Sequence, residues 1–215
     1  MTTMALDHVT LGARTLAEGA AYVREVLGVD IPAGGKHGDM ATHNHVMRIG
    51  DGVFLELLAI DPEAPKPART RWFGMDDPDQ TARLTKGPSP IGWVVSTDDL
   101  DAALGKCPLD LGKRLFMSRG TRSWRITVPD DGCMPFGGLV PALMQWSDGP
   151  HPSSGMQFPG PTLQQIVLKH PEADKLQVIL EQMGVSRFVI VEQGAVGASM
   201  ALVFRRADGE LRTLA

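Results

Sequence analysis

The stretch THNHVMRIGDGVFLELLA, residues 42–59, places an Asp-Gly pair between two runs of alternating character. Such a pair is a strong hairpin signal, so THNHVMRI and VFLELLAI are read as antiparallel strands. One acid, Glu56, stands inside the second run. Alternate residues of a strand share a face. Leu55, Leu57 and Ala59 therefore form one row, suited to a covering helix, and Phe54, Glu56 and Leu58 form the other. From this run alone, Glu56 is either a cavity group or an ion-pair partner for an arginine such as Arg48 or Arg125.

The preceding segment narrows the choice. LDHVTL (6–11) reads as a strand, followed by a helix from Leu16 to Leu27 that Gly28 closes. Leu16, Ala20, Val23 and Leu27 recur at helical steps and mark its buried face. Val9 and Leu11 suit packing under that helix, so His8 and Thr10 point away from it, toward the face that Glu56 occupies. A buried carboxylate is costly without a partner, and imidazole with carboxylate suits a divalent transition ion. His43 and His45 fall in register with Met47 and Ile49, on the helix-covered row. Thr42 and Asn44 then take the cavity side as candidate substrate contacts, an amide and a hydroxyl able to orient polar ligand groups. His37, in GGKHGDM, is assigned to a mobile entrance loop.

The same pattern returns downstream. IGWVVS (91–96) precedes DDLDAALGKC, and Gly92 stands to Leu100 as His8 stands to Leu16, with Gly112 in the place of Gly28. KRLFMS, SWRITV and LVPALMQW follow as strands. A third unit begins with LQQIVL (163–168), has a helix opening near Pro171 with Leu176, Ile179 and Met183 buried, and continues with RFVIVEQ, SMALVFRR and ELRTL. The expected fold is α+β. Two βαβββ modules, at about 5–60 and 90–147 within a domain of residues 1–150, form a cupped mixed sheet, and a smaller βαβββ-like unit spans 160–215. Pro-rich linkers at 61–80 and 147–161 are expected to be irregular and at the surface. Trp72 and Phe73 are unusual in a solvated linker and predict that the first one packs down as a flap or contact surface.

Composition excludes several classes. The 215 residues are 43% hydrophobic and 21% charged with a net charge of −4, which gives no basic footprint for nucleic acid. No run approaches the roughly 18 apolar residues of a membrane span, and MTTMALDHV lacks the pattern of an export leader. Cys107 and Cys133 lack metal spacing and read as reduced thiols of a cytoplasmic protein. Neither GGKHG nor VEQGAVGA follows a phosphate or dinucleotide loop, so no nucleotide cofactor is expected.

LDHVTLGARTLAEGAAYVREVLGV followed by GDGVFLELLA resembles the vicinal oxygen chelate superfamily, the glyoxalase and bleomycin-resistance group. THNHVMRIGDGVFLELLAIDP with VPALMQWSDGPHPS is similar to its glyoxalase-like domain branch. The resemblance covers residues 5–150 well and the last 60 loosely. It implies paired βαβββ modules around a cavity. It also implies one divalent ion (Zn, Fe, Mn or Ni) held by a first-strand His and a last-strand Glu of each module. Carried over, His8 and Glu56 are the metal pair, with Glu56 also a base. The second module offers Gly92 and Gln145 at those places, the third Gln164 and roughly Arg212, so the implied ligand set is half present.

The substrate contacts expected around this pair are Thr10, Thr42, Asn44, Arg119, Trp124 and Gln145. Arg119 and Arg122 can hold a carboxylate or phosphate through a guanidinium fork; Trp93, Trp124 and Trp146 can floor the cavity. His151 matches the family branch without an assigned chemical role. Two functions follow. One is a metal-assisted lyase, isomerase or dioxygenase acting on a small oxygenated molecule. The other is a metal-free protein that binds and sequesters a small molecule, as resistance proteins of this superfamily do. A small-molecule ligand is the expected partner, with neither nucleic acid nor membrane, and a homodimer is compatible with the sequence.

Overall fold

The computed structural model describes residues 2–147 and 149–215; Met1 and Asp148, the latter in the second linker, lie outside the described residues. The first module comprises β1 (Met4–Gly12), α1 (Leu16–Leu27), β2 (Ala33–His37), β3 (Thr42–Gly50) and β4 (Val53–Ile60). Helix α1 starts where Thr15 accepts a hydrogen bond from the Glu18 amide, and ends at Gly28, whose φ of 75° is the left-handed geometry a side chain resists. Val23 and Leu27 are fully covered, as the spacing requires.

The second module repeats the order with β5 (Ser89–Thr97), α3 (Leu100–Leu104), β6 (Lys113–Arg119), β7 (Arg122–Val128) and β8 (Ala142–Trp146). Between the modules lies α2 (Pro78–Lys86), within and beyond the linker expected to be irregular. Asp77 caps its start by accepting from the Gln80 amide, and Pro78 pre-sets the first helical turn. Residues 62–68 are irregular and mostly exposed, as expected, whereas Trp72, Phe73 and Met75 pack down into the main core.

All eight module strands form one sheet in the order β2-β3-β4-β1-β5-β8-β7-β6. Each module pairs its first strand with its last in parallel, β1 with β4 and β5 with β8, and the modules join through antiparallel β1 and β5. This is a curled mixed sheet with helices on its outer face. The third unit has β9 (Thr162–His170), α4 (Ala173–Gln182), β10 (Ile190–Gln193), β11 (Ser199–Arg205) and β12 (Leu211–Leu214). Its element order is βαβββ, but its separate sheet runs β10-β9-β11-β12, so the first strand lies inside and pairs with β10 and β11. One apolar cluster runs through all three units, from Val9 and Leu55 through Val94 and Leu143 to Leu168 and Phe204. No helix among the described residues is long and apolar enough to cross a membrane.

Candidate functional site

The hollow of the curled sheet holds the side chains that alternation turned away from the helices. His8, Asn44, Val46, Phe54 and Glu56 from the first module line one side of a cavity. Arg119, Trp124, Ile126, Met144 and Trp146 from the second line the other. Trp72 and Phe73 of the linker, with Pro152 and Met156 of the second linker, complete its lining. The free space is about 40 Å³, room for about three water molecules.

His8 and Glu56 are each 5% exposed, and His8 Nε2 lies 3.7 Å from Glu56 Oε2. Neither arginine considered for Glu56 reaches it. Arg48 lies over the Phe158 ring, and Arg125 bonds Gln145 and Asp101. Glu56 is instead held by amide and hydroxyl donors: Asn44 Nδ2 donates to Oε1 at 2.7 Å, and Thr10 Oγ1 to Oε2 at 3.5 Å. The Phe54 ring stacks on the His8 imidazole with centroids 4.5 Å apart.

Behind His8 stands a carboxylate that strand alternation places on the wrong side. The β1–β5 register shifts between Leu6 and His8, and this irregularity frees Asp7 from strict alternation. Asp7 is completely buried. His8 Nδ1 donates to its Oδ1 at 2.7 Å; Trp146 Nε1 and His151 Nε2 donate to Oδ2 at 2.7 and 2.9 Å. Burial alone would raise the Asp7 pKa, but the bonds from His151 and His8 and their charges outweigh it and hold the carboxyl well below the usual range. An ionised Asp7 fixes the His8 tautomer. Nδ1 carries the proton of that bond, and Nε2 is turned to the Glu56 side.

The remaining cluster corrects the placement of His37. It is not on an entrance loop but ends β2, 7% exposed, as a wall of the cavity. Its Nδ1 donates to Thr42 Oγ1 at 3.2 Å, and its Nε2 accepts from Arg119 Nη1 at 3.2 Å. Burial pushes its pKa down to about 4, with the Arg119 charge acting the same way and Glu56 opposing. His37 is therefore neutral near pH 7. Thr42 reaches the site through this imidazole.

Gln145 does not join these residues. Its neighbours Met144 and Trp146 face the cavity, so strand alternation turns Gln145 to the opposite side, where Oε1 accepts from the Leu100 amide and from Arg125. Strand register also moves the second module's acid position. Thr10 lies beside Glu56 in the first module, and Val94 lies beside Ala142 in the second. As Gly92 stands for His8, Ala142 stands for Glu56. The Gly92 place is moreover filled from outside: a Cβ built there would lie 2.7 Å from a Phe73 ring carbon. His8 and Glu56 remain as donors, and no group of three or more His, Cys, Asp or Glu suited to a metal occurs among the described residues. The residues present do not fit the four-ligand centre that the resemblance implies.

Of the expected site residues, the structure brings together His8, Thr10, Asn44, Glu56, Arg119 and Trp124, with Thr42 one bond removed. Asp7 and His37 are additions. His151 gains a partner through Asp7, although the stretch around it offered no chemical clue.

The sequence matches the family described as "Glyoxalase-like domain" over residues 6–184. No curated protein matches it. Among solved structures it is similar to a hypothetical protein from Staphylococcus aureus, at 12% identity and a TM-score of 0.59, covering 98% of this chain and 85% of that one. It is also similar to a mutant of 4-hydroxymandelate synthase from Streptomyces coelicolor, at 17% identity and a TM-score of 0.50, covering 100% of this chain and 63% of that one. At such identities these likenesses speak to the fold alone. The family match spans both modules and the helix of the third unit, and the sheet it covers has the paired βαβββ form; the chain belongs to the glyoxalase-like domain family.

Proposed function

We propose that this chain catalyses metal-independent proton transfer on a small oxygenated molecule, removing a proton from a carbon beside a carbonyl and returning it nearby. One observation carries this proposal: the Asp7–His8 hydrogen bond turns His8 Nε2 toward Glu56, 3.7 Å away in a buried cavity. An imidazole so oriented is a general base whose charged form is stabilised by the carboxylate behind it. His8 Nε2 takes the carbon-bound proton, and the electron pair moves to the carbonyl oxygen as an enolate. The ionised Asp7 then balances the imidazolium. Glu56, placed by Asn44, is the second proton-transfer group and faces the same space. No step is assigned to a metal, because the second-module positions hold Gly92, beneath Phe73, and Ala142.

The test is deuterium incorporation into a panel of small ketones and oxo acids in D₂O, followed by NMR with chelator-treated protein. The protein is expected to accelerate exchange at carbons next to the carbonyl. His8→Gln is expected to lower the rate by about 10²-fold or more, as loss of a general base does, and Glu56→Gln to lower it as well. Exchange that survives His8→Gln, or that vanishes on chelation, overturns the proposal. The cavity, with Phe54, Trp72, Phe73, Trp124 and Trp146 in its walls, also favours a second reading, capture of a small molecule without turnover. Ligand retention with no exchange anywhere in the panel supports that one.

A further inference from the structure

Two groups that line the cavity, and a glycine packed against one of them, are not used by the proton-transfer pair. The first is Arg119, on the edge strand β6. Among the described residues its guanidinium donates only to neutral acceptors, His37 Nε2 at 3.2 Å and Asn44 Oδ1 at 3.4 Å. His37 is itself kept neutral, so the Arg119 charge has no counterpart in these contacts. The second is Trp72, 4% exposed and lining the cavity, whose indole N–H has no hydrogen-bond partner. A buried donor left bare is costly, and buried indole N–H groups normally find an acceptor. The glycine is Gly35 on β2: a Cβ there would lie 3.3 Å from Arg119 Cδ and Nη1, so glycine makes room for the arginine to reach across from the second module.

A cation with no carboxylate in direct contact, and an unused N–H donor on a residue of the same cavity wall, are complementary to an oxyanion. Asn44 sets the separation from the chemistry. Its Oδ1 accepts from Arg119 while its Nδ2 donates to Glu56, so one amide group bridges the two ends. A ligand with its charged oxygens at Arg119 presents its next carbons toward Glu56 and His8. With about 40 Å³ free, such a ligand has only a few heavy atoms unless the linker moves.

We propose that the cavity takes a small monocarboxylate, of acetate or pyruvate size, whose oxygens accept from Arg119 and from the Trp72 indole N–H. This names the substrate class of the proton-transfer site and rests on that assignment for the ligand's orientation, though not for its binding.

The test is calorimetric titration of the 215-residue chain at pH 7 with acetate and pyruvate, against acetamide and acetone as neutral counterparts of similar size. The acids are expected to bind at least tenfold more tightly than the neutral compounds. Arg119→Gln is expected to remove that preference, and Trp72→Phe, which keeps the ring and loses the N–H, to weaken the acids severalfold while leaving the neutral compounds unchanged. Circular dichroism of each variant checks the fold. His8→Gln is expected to retain acid binding. Acids bound by His8→Gln but showing no exchange with the unmodified protein would therefore count against proton transfer and leave the carboxylate assignment standing. Equal affinity for acetate and acetamide, binding indifferent to Arg119→Gln, or no binding of either acid overturns the assignment.

Discussion

The His37 imidazole is pushed down to about 4 by burial and by Arg119, whereas in the unfolded chain it titrates near the ordinary 6.5. Between those two values the unfolded state binds a proton that the folded state refuses, so stability rises with pH across that window. The contribution is complete above pH 6.5 and is lost as pH falls toward 4; for an isolated group it amounts to about 3 kcal/mol. Urea unfolding at pH 7.5 and pH 4.5 is expected to show this loss. His37→Gln should flatten the dependence in that window, and an unchanged slope would show that His37 does not carry it. The low pKa of Asp7 adds a dependence of the same sign at more acid pH, present above its unfolded value and lost below it.

At this scale the sequence was half legible. Strict alternation sorted His8, Asn44 and Glu56 onto the cavity face because their strands are regular there. It failed for Asp7, since a register shift leaves no mark in the residue types; Gln145 was misplaced by the match to the family's acid, a position that depends on the parallel register of β5 and β8 rather than on spacing from a motif.

Among elements, the linker between the modules shapes the site most. Phe73 has φ 53° and is followed by Gly74 at 64°, two successive left-handed residues that turn the Trp72–Phe73 pair inward. A non-glycine residue in that region carries strain, which persists where packing compensates. Here the compensation is the space above Gly92. Gly92→Ala is expected to collide with the Phe73 ring and to destabilise the fold by about 1–3 kcal/mol, the usual cost of overpacking. In a Phe73→Ala background the same substitution should cost much less, because the two residues share one space. Equal costs in both backgrounds, read from denaturant midpoints, would refute the contact. The aromatic pair signalled in the sequence that the linker packs down, but its destination was hidden, because occupation of a missing ligand's position is a tertiary fact. Helix α2 was obscured for a different reason: its capping Asp77 and Pro78 sit in a segment whose prolines and acids otherwise read as loop.

For the whole molecule, the repeat announced the two modules and their pairing, since equal spacing of strand, helix and closing glycine survives when functional residues do not. The third unit follows the element order but not the strand order, and its role comes from how it docks. Strand β9 packs near β3, β11 near β5, and β12 near α1. Arg187 donates to the Met4 carbonyl, and the Arg48 amide of β3 donates to the Gln157 carbonyl at 2.9 Å. The apolar cluster continues across the boundary expected near residues 150–160, and the family match runs past it to residue 184. Shared core of this kind is expected to make the units unfold together rather than as independent domains. All four tryptophans, at 72, 93, 124 and 146, lie before that boundary. Tryptophan fluorescence therefore reports on the paired modules alone, whereas far-ultraviolet circular dichroism reports on the whole chain. The two probes are expected to give coincident urea transitions. A circular dichroism transition that begins earlier, with fluorescence unchanged, would mean that the C-terminal sheet melts first and that the core is divided at the boundary.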